Sequence, residues 1–395
     1  MSLGHSVAQE IAKSRNSNDL ETIRARQAHY IMWCKSKQVF NPVGPEPQWD
    51  FFISMYIKEV MTGVNYHNKL VLRSATCEGY AKAVNFLFKL RDYPPPVDLT
   101  DETGCTKTII HNLDREENIA AKRSPLNEKI HAELLNMAKK STVNSLESAV
   151  ADIATSGKAT GVRVSEHSQT KPDTVDYHEY PSGKKVIKAI TGKDALFSDI
   201  DGKVFQIKKK SDLKRVHAVL VTWRFQKNRQ NGQHIRLLVD RDNPDICPAL
   251  ALANMALRKY RLKHSMDLPL AVFKDKDGVV KYTTHKKVTE LIRKAVKTVY
   301  PDISKIDLMK YSSHSIRVWA CVTLDEAGMP PDFIKKRLRW MGESYRVYLR
   351  DTNKINEKHV QALKASAAKT MELVQLLNDN GDNHYSTCGE YEDGD

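Results

Sequence analysis

The sequence predicts a mostly helical α+β protein in two domains: a helical N-terminal one, and a larger one carrying a small antiparallel sheet. Three observations predict it. Apolar residues recur at three- and four-residue spacing through most of the chain, the period of a helix buried on one face. Between Lys185 and Val239 that period gives way to short β-branched and aromatic runs bounded by Gly, Asp and Asn, the pattern of strands and turns. The length, 395 residues, exceeds what one small core needs, and the run Tyr93-Pro-Pro-Pro96 offers a break.

In chain order, residues 1–17 are polar and expected to be disordered. From Asn18 onward Leu20, Ile23, Tyr30, Ile31 and Cys34 share a helical face, with Gln27 as a polar interruption and Asn18 or Asp19 as the cap. Pro42, Pro45 and Pro47 then break the chain. Helices follow at about 49–62 and 76–91, the second striped by Tyr80, Val84, Leu87 and Leu90. Residues 18–96 thus read as one basic, all-helical domain. Residues 97–122 are polar and weakly periodic and are expected to be a linker. Ser124 as N-cap and Pro125 at the first helical position restart a helix to about residue 140, and another spans about 143–156.

Strands are expected at 185–190, 204–207, 218–225 and 234–239, with Gln226–Gln233 as a hairpin turn. Helices resume at 248–260 and about 284–300. A last amphipathic helix, 356–377, carries Val360, Leu363, Ala367, Met371, Val374 and Leu377 and closes a second domain of residues 123–377. The acidic, glycine-rich residues 378–395 are expected to be a disordered tail.

The net charge of +14 favours a polyanionic partner, nucleic acid before an anionic membrane surface. No run approaches the length of a membrane-spanning helix, and the N-terminus lacks the apolar core of a signal peptide, so no membrane role is expected. The six cysteines form no C-x-x-C pair, so neither a metal site nor a redox motif is signalled, and free thiols in a reducing compartment are expected. A Walker loop is missing as well, since Asp152 stands where its first glycine would be. Between Lys203 and Arg236 there are ten Lys or Arg and one acid, Asp212. Beside a strand ribbon that imbalance reads as a phosphate-tracking face, with a solvated basic edge strand as the alternative.

The densest chemistry lies in 313–352. His314 and Arg317, three residues apart on a helix, share a face on which imidazole and guanidinium converge on one small anion. Gly328 and the following Met-Pro-Pro end that helix and start another, about Asp332–Trp340, which carries Lys335, Lys336, Arg337 and Arg339. Tyr348 stands eight residues beyond Trp340. Far upstream, Arg163 lies in Thr160-Gly-Val-Arg163-Val-Ser-Glu166 at the end of a helix.

With these motifs the chain resembles a tyrosine recombinase of the phage-integrase family, and within it the recombinases of crypton-type transposons. The family's T-G-x-R-x-S-E box is matched by Thr160–Glu166, its H-x-x-R box by His314 and Arg317, and its His-or-Trp position by Trp340 after Leu338-Arg339. Its hairpin lysine is matched by Lys227, with Arg229 in the same hairpin, and its nucleophile by Tyr348. Many members place the tyrosine nine residues after the His-or-Trp position, whereas here the step is eight, and Tyr345 comes too early to fit. The resemblance covers about residues 18–377 and makes the first domain a core-binding, DNA-clamping unit and the second the catalytic domain.

The resemblance implies a site-specific recombinase or integrase of a mobile element that cuts and rejoins DNA through a 3′-phosphotyrosyl bond, with no metal and no cofactor. A phenol ionises near pH ~10, so it needs a base or a cationic neighbourhood. His314 would share the Tyr348 proton. Arg163 and Arg317 would clamp the nonbridging phosphate oxygens, and Lys227 would protonate the leaving 5′ oxygen. Trp340 would donate its indole N–H, and Glu166 would orient Arg163. Lys208, Lys209, Lys210, Arg224, Arg229, Lys335, Lys336 and Arg339 are expected to face double-stranded DNA. The resemblance further implies a homotetramer on DNA joined through the C-terminal helix, and a nuclear location in a eukaryotic source or a nucleoid one otherwise. An inactive DNA-binding descendant of the same fold and a type IB topoisomerase are the alternatives.

Overall fold

The computed structural model describes residues 17–45, 48–62, 72–116, 123–180, 182–226, 231–349 and 353–381. It is a mostly helical α+β protein with small antiparallel sheets. The chain forms two compact units. One comprises Met1–Lys122, Ser165–Arg236 and Met255–His285, the other Arg123–Val164, Leu237–Asn254 and Lys286–Asp395. This grouping differs from the contiguous division drawn at the proline run. Prolines mark where an element ends, while compactness depends on which distant segments pack together.

In the first unit four helices build one core: α1 Ser17–Ser36, α2 Trp49–Thr62, α3 Ser74–Lys89 and α4 Cys105–Glu116. Its centre is aromatic. Tyr56 meets Tyr30 at 5.2 Å and Trp33 at 5.1 Å between ring centroids, and Trp49 meets Phe88 edge-on at 5.2 Å. The polar tips are satisfied, as Trp33 Nε1 donates to Glu59 at 2.8 Å and the Tyr30 hydroxyl to the Pro42 carbonyl at 3.0 Å. Gln27, the interruption on the first helical face, is buried and donates to the Ala83 carbonyl at 3.1 Å.

Helix α4 falls in the stretch expected to be linker. Its polar composition hid two core residues, Ile110 and Leu113, which pack into the same cluster. Its N-terminus is capped from a distance: the Asp50 carboxylate accepts from the backbone N–H of Cys105 at 2.6 Å and of Thr106 at 3.2 Å. No local N-cap marks this start in sequence.

The strands form three sheets. β1 Tyr177–Glu179 and β2 Lys185–Ile187 make one hairpin, and β7 Val272–Lys274 and β8 Val280–Tyr282 another. Between them in sequence lie β3 Ala195–Ser198, β4 Val204–Phe205, β5 Ala218–Thr222 and β6 His234–Leu238, in the spatial order β4-β3-β5-β6. The expected strands were thus found, mostly shorter, and β1, β3, β7 and β8 were not foreseen because each holds only three or four residues. β6 lies beside β5, with Trp223 N–H donating to the Gln233 carbonyl at 2.9 Å, and residues 227–230 of the turn expected at 226–233 lie outside the described ones.

In the second unit, α5 Glu128–Lys139 is capped by Asn127 and not by Ser124, the Asn127 side chain accepting from Ile130 N–H at 3.0 Å. α6 Leu146–Thr160 is capped by Ser145 and ends at Gly161. The remaining helices of the chain are α7 Val164–His167, α8 Asp212–Arg215, α9 Pro248–Arg261, α10 His285–Val299, α11 Lys305–Met309, α12 Ser315–Glu326, α13 Pro331–Leu338 and α14 Asn353–Gly381, of which α8 lies in the first unit and α11 to α14 in the second. The tail expected to be disordered from 378 begins inside α14, and residues 382–395 lie outside the described ones.

Candidate functional site

The site is assembled in the second unit where α6, α12 and α13 meet. α6 ends because Gly161 adopts φ +55°, a left-handed conformation that residues with a Cβ seldom take. The space is also closed: a Cβ at Gly161 would stand 2.8 Å from a Leu338 methyl, and one at Gly157 would stand 2.4 Å from an Ile316 methyl. Small residues at these positions let α12 and the end of α13 approach the backbone of α6.

Two arginines grip the α6 terminus. Arg317 donates to the Gly161 carbonyl and, at 3.3 Å, to the Leu338 carbonyl. Arg339 donates to the Thr160 carbonyl at 2.7 Å. Cations at a helix C-terminus meet the negative end of its dipole and satisfy carbonyls that the helix leaves open. Both side chains are buried, Arg317 at 2% exposure and Arg339 at 4%. Arg339 therefore does not lie on an open DNA face, as its basic helix had led one to expect. It adopts φ +59° as the cap of α13, which turns its side chain back onto α6.

The Arg317 guanidinium lies 4.1 Å from the centre of the Trp340 ring. Trp340 packs on Tyr348, with ring centroids 5.0 Å apart. The Tyr348 hydroxyl lies 3.1 Å from His314 Nε2. The eight-residue step from Trp340 thus still brings the two rings into contact, because Glu343–Tyr348 winds as a tight 3-10 turn. Tyr345 is buried at 2% exposure in the core with Ala320, Cys321, Ile334 and Leu338, so its ring is a packing group. The Trp340 indole nitrogen is buried and has no hydrogen-bond partner among the described residues, a state that costs about 1–3 kcal/mol until an acceptor arrives.

His314 is held below its ordinary pKa, first by burial and then by the charges of Arg317 and Arg123. At neutral pH its imidazole is uncharged and is able to accept the phenolic proton through Nε2. Arg163 is half-buried and follows Gly161 by two residues in the chain.

The other expected residues divide. Lys227 and Arg229 lie outside the described residues. Glu166 is buried on α7 in the first unit. Lys208, Lys209 and Lys210 have exposed side chains, and the backbone N–H groups of the first two cap Asp212 at 2.9 and 3.0 Å. Arg224 pairs with the buried Asp194 carboxylate, which also closes a capping box with Thr191. Lys335 pairs with Asp332 at 2.9 Å and Glu343 at 3.1 Å, while Lys336 is exposed. Sequence reasoning missed Arg123, whose charge reaches His314. In sequence it directly follows the stretch of residues 97–122 expected to be linker and belongs to no motif. Among the described residues no group of His, Cys, Asp and Glu is arranged to hold a metal ion, no described helix is long and apolar enough to cross a membrane, and the described cysteines are free thiols.

No protein-family model matches the chain, and no curated protein matches it by sequence. Among solved structures it is similar to the XerA recombinase at 14% identity, covering 91% of this chain and 96% of that one with a TM-score of 0.35. It is also similar to the Tn1549 transposon integrase in complex with transposon right end DNA, at 12% identity over 80% of this chain and 85% of that one with a TM-score of 0.41. A complex of that integrase with circular intermediate DNA gives 14% identity, 78% and 84% coverage and a TM-score of 0.40.

Proposed function

We propose that the chain is a DNA breaking-and-rejoining enzyme, a site-specific recombinase or integrase in which Tyr348 attacks a backbone phosphodiester. The observation that carries this reading is the 3.1 Å pairing of Tyr348 with a half-buried His314 against Trp340 and Arg317. A phenol beside an imidazole has a proton acceptor at hand for its attack.

In the proposed step the Tyr348 oxygen forms a bond to phosphorus as its proton passes to His314. The bond from phosphorus to the 5′ oxygen breaks and that oxygen takes up a proton, a role the sequence motif gives to Lys227, which lies outside the described residues. The products are a 3′-phosphotyrosyl link and a 5′-hydroxyl, and reversal with a new 5′-hydroxyl rejoins the strand. Arg163 takes one nonbridging oxygen, and the Trp340 N–H another. Arg317 stabilises growing charge from behind the pair; direct contact with phosphate would require it to release the Gly161 or Leu338 carbonyl on binding DNA. The supporting role of Glu166 for Arg163 rests on the sequence motif alone. A crypton-type lineage, a mobile-element origin, tetramer assembly and a nuclear location in a eukaryotic source extend this reading and rest on the sequence motifs.

Trapping tests the proposal. Duplex DNA nicked beside the cleavage site lets the short 5′-hydroxyl fragment diffuse away, so a covalent adduct accumulates and is seen on a denaturing gel. The wild type should form it and Tyr348→Phe should not, while both bind DNA equally. Binding without adduct in the wild type would leave an inactive DNA-binding protein. Plasmid relaxation without strand exchange would indicate a topoisomerase.

A further inference from the structure

Between β5 and β6 two arms of chain, residues 223–226 and 231–233, flank residues 227–230, which lie outside the described ones. Backbone bonds join the arms at Trp223, whose N–H donates to the Gln233 carbonyl at 2.9 Å and whose carbonyl accepts from Gly232 N–H at 2.7 Å. Past that point each residue of the first arm is held by a side chain. The Arg224 guanidinium is engaged by the buried Asp194 carboxylate. The Phe225 ring stacks on His178, with centroids 4.4 Å apart and planes at 29°. The Gln226 N–H donates to the Asn231 side-chain oxygen at 2.6 Å. The nitrogen of that same Asn231 amide donates to the Tyr180 hydroxyl at 2.9 Å. His178 lies on β1 and Tyr180 just after it, and their own rings meet edge-on at 4.7 Å. One short hairpin thus reaches both arms, the first through His178 and the second through Tyr180.

We propose that His178 and Tyr180, stacked on Phe225 and bonded to Asn231, are positioning residues that align the arms on either side of residues 227–230 for proton transfer to the leaving 5′ oxygen. The inference rests on the reading of the chain as a DNA breaking-and-rejoining enzyme, and on the sequence motif that gives Lys227 the proton-donating role. A proton donor works only within hydrogen-bond reach of the oxygen it serves, and a displacement of ~1 Å is enough to slow the step. An isolated two-stranded ribbon holds itself weakly, so contacts beyond its last backbone bonds set its pose. Here there is one such contact on each arm. They suit alignment better than stability. The His178 and Phe225 rings are half-buried, and the Asn231–Tyr180 bond is exposed, where a hydrogen bond adds little to folding. The brace is itself tied down: His178 stands opposite Val186 in the β1–β2 register, and Tyr180 N–H donates to the Lys184 carbonyl at 2.9 Å.

DNA with sulfur in place of the bridging 5′ oxygen provides the test. A thiol is far more acidic than an alcohol, so the thiolate leaves without a proton and cleavage no longer needs the donor. Adduct formation by the full-length chain is timed under single-turnover conditions on two nicked duplexes that differ only in that atom. On the oxygen duplex His178→Ala and Tyr180→Phe should each be slower than the wild type by roughly tenfold. On the sulfur duplex both should match the wild type. His178→Phe keeps a ring against Phe225 and should retain most of the oxygen rate. A partly unfolded variant slows both duplexes alike, so the ratio of the two rates reports alignment and not folding. Equal slowing on both duplexes, or slowing on neither, overturns the positioning role while leaving the enzyme reading standing. No adduct from the wild type on either duplex overturns both.

Discussion

His314 and Tyr348 are the residues whose chemistry depends most on their surroundings. Burial and two arginines lower the pKa of His314, which favours the neutral imidazole. The sign for activity follows. Adduct formation should be level near neutral pH and fall as pH drops through the His314 pKa, with the midpoint of that acid limb below the ordinary imidazole value of about 6.5. Replacing Arg123 with Gln removes one of the charges that disfavours protonation, so the limb should move to higher pH. Single-turnover trapping rates between about pH 5 and 8 measure both. An acid limb that stays in place in the variant would place Arg123 outside the field acting on His314. His314, Arg317 and Tyr348 were legible as residue types at suggestive spacing. That Arg317 spends donors on two carbonyls and that Arg339 is buried was not legible, because both depend on a helix terminus more than 150 residues upstream, as in the Arg317–Gly161 bond spanning 156 positions.

Elements were legible where one face is apolar and misread where the stabilising partner is distant. α2 spans the residues expected of it, since Ile53, Tyr56, Ile57 and Val60 recur at helical spacing. α4 was taken for linker, since Ile110 and Leu113 are its buried apolar residues, with Ile109 packed against the same core, and its cap is supplied by Asp50 from α2. Asp50→Ala removes the acceptor for two N–H groups and should destabilise the helical bundle by ~1 kcal/mol, read as a lower urea midpoint with the slope unchanged. No change in midpoint would mean that water caps α4 as well as Asp50 does. α14 shows the converse case. Its expected stripe is present, yet Val360 is 50%, Leu363 58% and Met371 62% exposed. The double variant Val360→Glu/Leu363→Glu should therefore change folding stability by less than ~0.5 kcal/mol for each substitution. If this helix joins protomers, the same variant should lower the mass of the DNA-bound assembly in sedimentation. An unchanged mass would confine α14 to its own protomer.

Across the molecule, the charge of +14 is uneven in its availability. Arg224, Lys335 and Lys310 are paired with carboxylates, and Arg317 and Arg339 with carbonyls, so counting basic residues overstates the surface that DNA would meet. Lys208, Lys209, Lys210 and Lys336 keep exposed side chains. The salt dependence of binding should accordingly reflect a subset of the basic residues, and the slope measured for the wild type counts the contacts actually made.

By itself the sequence determined the α+β class, most helices, the basic character and the spacing of Arg163, His314, Arg317, Trp340 and Tyr348, since these follow from local periodicity and residue chemistry. Only the tertiary structure decided which cations are spent on the protein itself and which tyrosine meets His314. The reason is physical. Periodicity records which face of an element is apolar, whereas a buried polar group takes whichever donor or acceptor the packed chain brings within about 3 Å, at any separation in sequence.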